Sequence, residues 1–374
     1  MKKQNFIYAL LLSSAVAGFT SCEKNDEPGG DVDNQNLKGM FILNQGSYQM
    51  NNAGLAFYSL DKTDSPFISD LFYDVNNYKL GDNATDIVKH NGYIYISLTG
   101  SNCIYKLNEK GEVAKQVLFH NDPDLQGGVR YMTFKDNSLY ASFYGGIVAK
   151  LSADDLTVEA KLNTGGSNLE GIAEVNGTLY VADSYQSTYD STTGQSEIVY
   201  GDKLYMIDLK SFTVKGTVTV SLNPNKLIAE DGKLFLISWG NYADKGYSFQ
   251  MIDPSDNNKV TELAVATDMG AGNGKVYLIN SVTDWSTWTS TNTWFSYDIK
   301  GNRVDNSSFM KNAPSELTTD HISMVTVDDA SGDIYIGTTI YTLGNGQVYR
   351  FEKDGSFKIN FDCGGENPIG AVFM

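Results

Sequence analysis

GIAEVNGTLYVA, residues 171–182, decides the fold. Two short apolar runs flank Asn176-Gly177. An Asn-Gly pair adopts positive φ at both positions, and the two-residue turn it makes matches the twist of paired strands. The stretch therefore reads as a tight antiparallel hairpin whose second strand runs apolar-aromatic-apolar. The same design recurs as DIVKHNGYIYIS (86–97), YMTFKDNSLYAS (131–142), KLIAEDGKLFLIS (226–238), AGNGKVYLIN (271–280) and MVTVDDASGDIYIG (324–337). Each second strand carries one aromatic anchor: Tyr95, Tyr140, Tyr180, Phe235, Tyr277 or Tyr335.

A connection of variable length follows each anchor, then a third strand such as IVAKLSADD or LYMIDLKSF, then a fourth such as TVKGTVTV. Four antiparallel strands in a repeat of roughly 40–50 residues describe one blade of a β-propeller. Six repeats are complete. A seventh is split between the ends: GMFILNQGS and GLAFYSLDKT supply its second and third strands, with a fourth near PFISDLFYD. The lone C-terminal strand IGAVFM (369–374) supplies the first. Placing that strand innermost in the N-terminal blade removes the open edges of an unclosed ring. The expectation is an all-β, seven-bladed propeller over 39–374.

The opening MKKQNFIYALLLSSAVAGFTSC differs in kind. Two lysines precede an apolar run from Phe6 to Phe19 that is too short to span a bilayer. Residues 1–21 read as a signal peptide. Small residues directly before Cys22 resemble a bacterial lipoprotein cleavage box, with Cys22 as the lipidated N-terminus. The charged stretch from 22 to 38 is expected to be a disordered tether. Its acidic residues resemble the surface-export signal of lipoproteins in the Bacteroides group. The expected location is the outer membrane, lipid-anchored and facing outward, with the membrane met through the lipid alone.

Cys103 and Cys363 fall on different blades and are expected to be free thiols. A net charge of −17 and the lack of a Lys/Arg run exclude nucleic acid as a partner. The three histidines match no catalytic motif, and the chain has no Gly-rich phosphate loop. His120 and His321 fall in links between blades, and His90 beside a tight turn. Asp82, Asp86, Glu170 and Asp320 also fall in links, where carboxylates commonly satisfy turn backbone. No intrinsic cofactor, catalytic residue or metal site is expected.

In a propeller the second-to-third connections share a face with the links between blades. Here that face carries nearly all the length variation, and long loops on one face of a rigid scaffold commonly carry function. DWSTWTSTNTW (284–294) holds Trp285 and Trp288, SWGNYADKGYS (238–248) holds Trp239, and ADSYQSTYDSTTGQSEIVYGDK (182–203) is the longest connection. These predict an aromatic wall for a large, uncharged, amphipathic ligand. Trp239, Trp285 and Trp288 would give apolar contact. Tyr48, Tyr185, Tyr242 and Tyr247 would add ring area and hydroxyls. Asn44, Asn102, Asp183 and Asn241 would bond amides. Trp294 opens a strand and is assigned to packing.

The blade pattern, as in LYVADS and LYMIDL, together with the lipoprotein start, resembles the YncE-like propeller lipoproteins of the Bacteroides group. The corrinoid-capturing BtuG class is the nearest in chain length, blade number and aromatic face. That resemblance implies a bound corrinoid (cobalamin or cobinamide) and a TonB-dependent outer-membrane transporter as partner. Three other readings stay open: a glycan-binding surface lipoprotein, which predicts a flat aromatic row; a lactonase- or lyase-type propeller enzyme, which predicts a metal or His/Glu cluster at the channel mouth; and a protein–protein scaffold, which predicts no small ligand and a broad apolar patch.

Overall fold

The computed structural model describes residues 38–60, 67–191, 194–284, 286–340 and 344–374. The signal segment, Cys22, nearly all of the tether and Trp285 lie outside them.

Seven four-stranded antiparallel sheets form the ring. Blade one joins β28 (Pro368–Phe373), β1 (Gly39–Asn44), β2 (Gly54–Ser59) and β3 (Phe67–Ile68), in that order from the axis outward. Blades two to seven follow in sequence as 84–118, 129–163, 168–219, 224–264, 268–305 and 321–362. The closure is the one the sequence implied. Met40 pairs with Phe373, Phe41 with Val372 and Ile42 with Ala371. The Gly39 and Met374 backbones exchange two further hydrogen bonds, 3.1 and 3.0 Å long.

Burial follows position in the blade. β1 is buried throughout, because neighbouring blades cover both of its faces. The outermost strand of blade two, β7 (Val113–Leu118), is mostly exposed. The inner hairpins turn as expected: Asn91-Gly92 has φ of 48° and 77°, and Asn176-Gly177 has 50° and 79°.

The anchors stitch each blade to the next. Tyr95 of blade two is buried, and its hydroxyl donates to the Ala153 carbonyl of blade three at 2.7 Å. Tyr180 of blade four donates to Asn258 Oδ1 of blade five at 2.6 Å. Tyr277 meets Phe309 edge-on at 5.0 Å between their ring centres. The apolar clusters accordingly lie between blades rather than inside them. Cys103 and Cys363 are both buried free thiols.

The fourth strand of blade one lies in PFISDLFYD as expected, but it is only two residues long, and α1 (Leu71–Asn76) follows it. Asp70 caps that helix by accepting from the Tyr73 amide. One expectation is corrected: the longest connections are not loops. In blade four, β13 (Thr178–Asp190) and β14 (Gln195–Asp208) stay paired out to Asp190↔Gln195. In blade six, β21 (Lys275–Asp284) and β22 (Thr289–Asp298) pair along their whole length. Runs rich in Thr, Tyr, Val and Ile extend the ladder, which satisfies backbone groups that a loop would leave open.

Candidate functional site

The innermost strands all begin on the face that carries the long connections. Their first residues line the mouth of the central channel, a cavity of about 420 Å³. Trp239, Tyr131, Ile322 and Ile369 supply its apolar surface, and Gln45, Asn225 and Asn367 bring amides. Asp86, Tyr131 and Lys226 also line a second cavity of about 310 Å³, deeper toward the hairpin face.

Charge in the mouth is compensated pair by pair. Lys226 meets Asp268 at 2.6 Å. Arg130 meets Glu170 at 2.7 Å, and the Tyr144 hydroxyl donates to the other Glu170 oxygen at 2.6 Å. Arg130 also donates to Thr99 Oγ1 and lies over the Tyr144 ring, 4.8 Å from its centre. Among the described residues Asp86 has no such partner. Its Oδ2 accepts from the Met132 amide at 2.8 Å. Desolvation raises its carboxyl to about 7; that amide, Lys226 and Arg130 offset only part of the rise. With Asp86 protonated, the cations Arg130 and Lys226 are balanced by the carboxylates they bind, Glu170 and Asp268.

An arc of tyrosines stands beside the mouth. Tyr144 of blade three meets Tyr185 of blade four at 6.3 Å. Tyr185 pairs in register with Tyr200, and Tyr200 meets Tyr242 of blade five at 6.0 Å. Strand alternation puts Ser187, Tyr189, Ser196 and Ile198 on the same side of the ribbon as Tyr185 and Tyr200. Tyr189 is 69% exposed and Ile198 51%.

The structure divides the residues singled out from sequence. Trp239 lines the channel mouth and packs its inner edge on the core between blades five and six. Tyr247 is half-buried against the same core. Tyr185 and Tyr242 belong to the arc. Trp288 is 64% exposed at the tip of the blade-six ribbon, with φ of 56°. That ribbon leans on the link into blade seven, where Asn292 donates to the Leu317 and Asp320 carbonyls. Trp288 is thus carried on a ribbon, not on a continuous wall. Trp294 is buried against Phe309, as assigned. Tyr48 is 66% exposed over blades one to three.

The amide assignments need correction. Asn44 is fully buried and donates to the Cys363 carbonyl at 2.8 Å. Asn102 is buried, donating to the Leu125 carbonyl and accepting from the Val129 amide. Asn241 organises its own turn through Ala243, Asp244 and Lys245. Asp183 accepts from the Ser167 amide, and burial raises its carboxyl above the usual range. Short polar side chains at strand ends are recruited by backbone groups that need partners, and sequence spacing does not distinguish that duty from ligand contact.

The channel residues Arg130, Lys226 and Asp268 were missed, and Asp86 and Glu170 were assigned to turns. A signal existed. VRYM (129–132), NLEG (168–171), NKLI (225–228), TDMG (267–270) and TDIV (85–88) each place a charged residue near the start of an otherwise apolar innermost strand. Burial of a charge at a repeated position requires a partner or a site.

No family model and no curated protein matches the chain. Solved structures do. A quinoprotein alcohol dehydrogenase-like protein of Bacteroides thetaiotaomicron is similar at 16% identity and a TM-score of 0.61, over 90% of this chain and 78% of that one. The WD40 domain of Neurospora crassa Pan2 is similar at 11% identity and a TM-score of 0.52, over 73% and 78%. Hydrazine synthase of Kuenenia stuttgartiensis is similar at 13% identity and a TM-score of 0.53, over 70% and 74%. Such proteins differ widely in what they do, so the likeness is one of fold: this chain is a seven-bladed β-propeller.

Proposed function

We propose that this protein captures a corrinoid at the channel mouth and passes it to a TonB-dependent outer-membrane transporter, while held on the cell surface by lipid on Cys22. One observation carries the reading: the mouth combines aromatic area with amides, each of its two cations is bound to a carboxylate, and an arc of tyrosines stands beside it. A corrinoid presents a broad apolar ring fringed with neutral amides. Rings give contact area at low entropy cost, and amides answer amides. Trp239 would meet the ring from the mouth, Tyr185 and Tyr242 from the arc, and Gln45, Asn225 and Asn367 would bond the fringe.

The test is titration of the purified protein with cyanocobalamin by calorimetry, with tryptophan fluorescence read in parallel. One-to-one binding is expected, weakened about tenfold or more by Tyr242→Ala, the loss expected for one stacked ring and its hydroxyl. Absence of both heat and quenching would overturn the proposal.

A further inference from the structure

A second cavity opens on the same face, away from the channel axis, where blades one, two and three meet. It measures about 700 Å³. Blade one contributes Tyr48 and blade three Tyr144. Between them stand Asn83, His120 and Gln126 from the links on either side of blade two. Arg130 separates this cavity from the channel mouth and lines both.

The floor is fixed by the protein. The two hydrogen bonds of Asn102 and the one from Thr99 Oγ1 to the Val129 carbonyl hold the link that ends at Gly127-Gly128. That link lies too close to its neighbours for side chains. A Cβ on Gly127 would sit 2.2 Å from the Tyr144 carbonyl oxygen, and Gly128 has φ of 104°. Tyr48 is held from beneath as well: Asp82 accepts the Gln49 and Asn51 amides, and Ser47 donates to Glu366. An aromatic ring two-thirds in solvent is thus presented by a tightly bonded loop. The rim is different. Among the described residues, the side chains of Asn83, His120 and Gln126 have no hydrogen-bond partner, although Asn83 and Gln126 each carry both a donor and an acceptor.

We infer that this cavity is a binding site for a neutral saccharide, separate from the channel mouth. An exposed ring offers a stacking platform for the apolar face of a pyranose. Open amide and imidazole groups match vicinal hydroxyls, which donate and accept at once. The Arg130–Glu170 pair closes the floor without net charge, so a carboxylated or phosphorylated sugar gains nothing there. The site does not rest on the corrinoid reading: it shares Arg130 with the channel lining and Tyr144 with the tyrosine arc, but none of the residues assigned to corrinoid contact.

Saturation-transfer NMR on the purified protein tests this with methyl α-mannopyranoside, maltotriose and N,N′-diacetylchitobiose, and glucuronic acid as the charged comparison. Transfer to at least one neutral sugar is expected, weakened about tenfold by Tyr48→Ala and by Gln126→Ala, both exposed positions at which folding is not at risk. Trp288→Ala and Tyr242→Ala are expected to leave it unchanged, and Tyr242→Ala alone to weaken cyanocobalamin. No transfer to any neutral sugar at about 10 mM, transfer that survives Tyr48→Ala, or preference for glucuronic acid would each overturn the inference. Loss of cyanocobalamin binding alone would overturn only the corrinoid reading.

Discussion

Asp86 stands where innermost strands of several blades meet, facing Arg130 and Lys226 while each of those is bound to another carboxylate. Its carboxyl, raised by desolvation to about 7 from an ordinary value near 3.8, makes folding depend on pH. Below pH 4 the group is protonated in both folded and unfolded chains and contributes no pH dependence. Between pH 4 and 7 the unfolded chain releases the proton and the folded protein keeps it, so stability falls as pH rises. Above pH 7 the cost is constant, of the order of 4 kcal/mol as an upper bound for a group that faces a channel. Asp86→Asn keeps an acceptor for the Met132 amide and removes the ionisation. Urea unfolding of both proteins at pH 4.5, 6, 7.5 and 9 should show the variant gaining stability over the parent as pH rises, with no further gain above pH 8. Parallel curves across that range would show that Asp86 ionises freely. TDIV taken alone does not mark this residue as desolvated, since its charged neighbours come from strands more than forty residues away; the signal lies only in the recurrence of a charge at that position of the innermost strands.

The repeating element was legible because its signals are local. Asn-Gly and Asp-Gly turns, alternating strands and one aromatic anchor per hairpin lie within a dozen residues, and all six anchors are buried. Tyr95 is the clearest case, with a ring in the core between blades two and three and a hydroxyl on Ala153. Tyr95→Phe should cost about 1 kcal/mol, and Tyr95→Ala about 3–5 kcal/mol, by thermal or urea unfolding. Equal losses would mean that the hydrogen bond, not the ring, joins the blades. The ribbons were not legible, because Ser- and Thr-rich segments read equally well as loops. Tyr185 and Tyr200 are register partners, so replacing residues 186–199 with Asn-Gly closes the blade-four hairpin just above the core. The removed strand residues described are largely exposed, so the melting temperature should stay within about 2 °C of the parent. Cyanocobalamin affinity should fall as Tyr189 and Ile198 leave the wall. A large drop in melting temperature would instead make the ribbon part of the scaffold.

At the scale of the ring, closure was readable from a count of strands, whereas the channel site was not, since it exists only once seven blades bring their innermost strands together. The latch carries that assembly. β28 covers the inner edge of β1, and Ile369 and Gly370 line the channel mouth. A chain ending at Asn367 would leave the backbone groups of Met40 to Leu43 unpaired toward β28 and expose an apolar edge strand, the usual template for aggregation. It would also uncover Tyr335, which packs against Phe373 at 5.0 Å, so the damage would reach blade seven as well as blade one. The truncated protein is therefore expected to lose its single cooperative melting transition, bind a hydrophobic dye at 25 °C and form oligomers in size-exclusion chromatography. Val372→Asp, which keeps the backbone pairing but puts a charge into the core between blades one and two, should lower stability by about 2–4 kcal/mol while leaving the protein monomeric. The two variants separate edge protection from core packing. A truncated chain that stays monomeric and melts within a few degrees of the parent would show that six blades and a three-stranded remnant hold the ring without the latch.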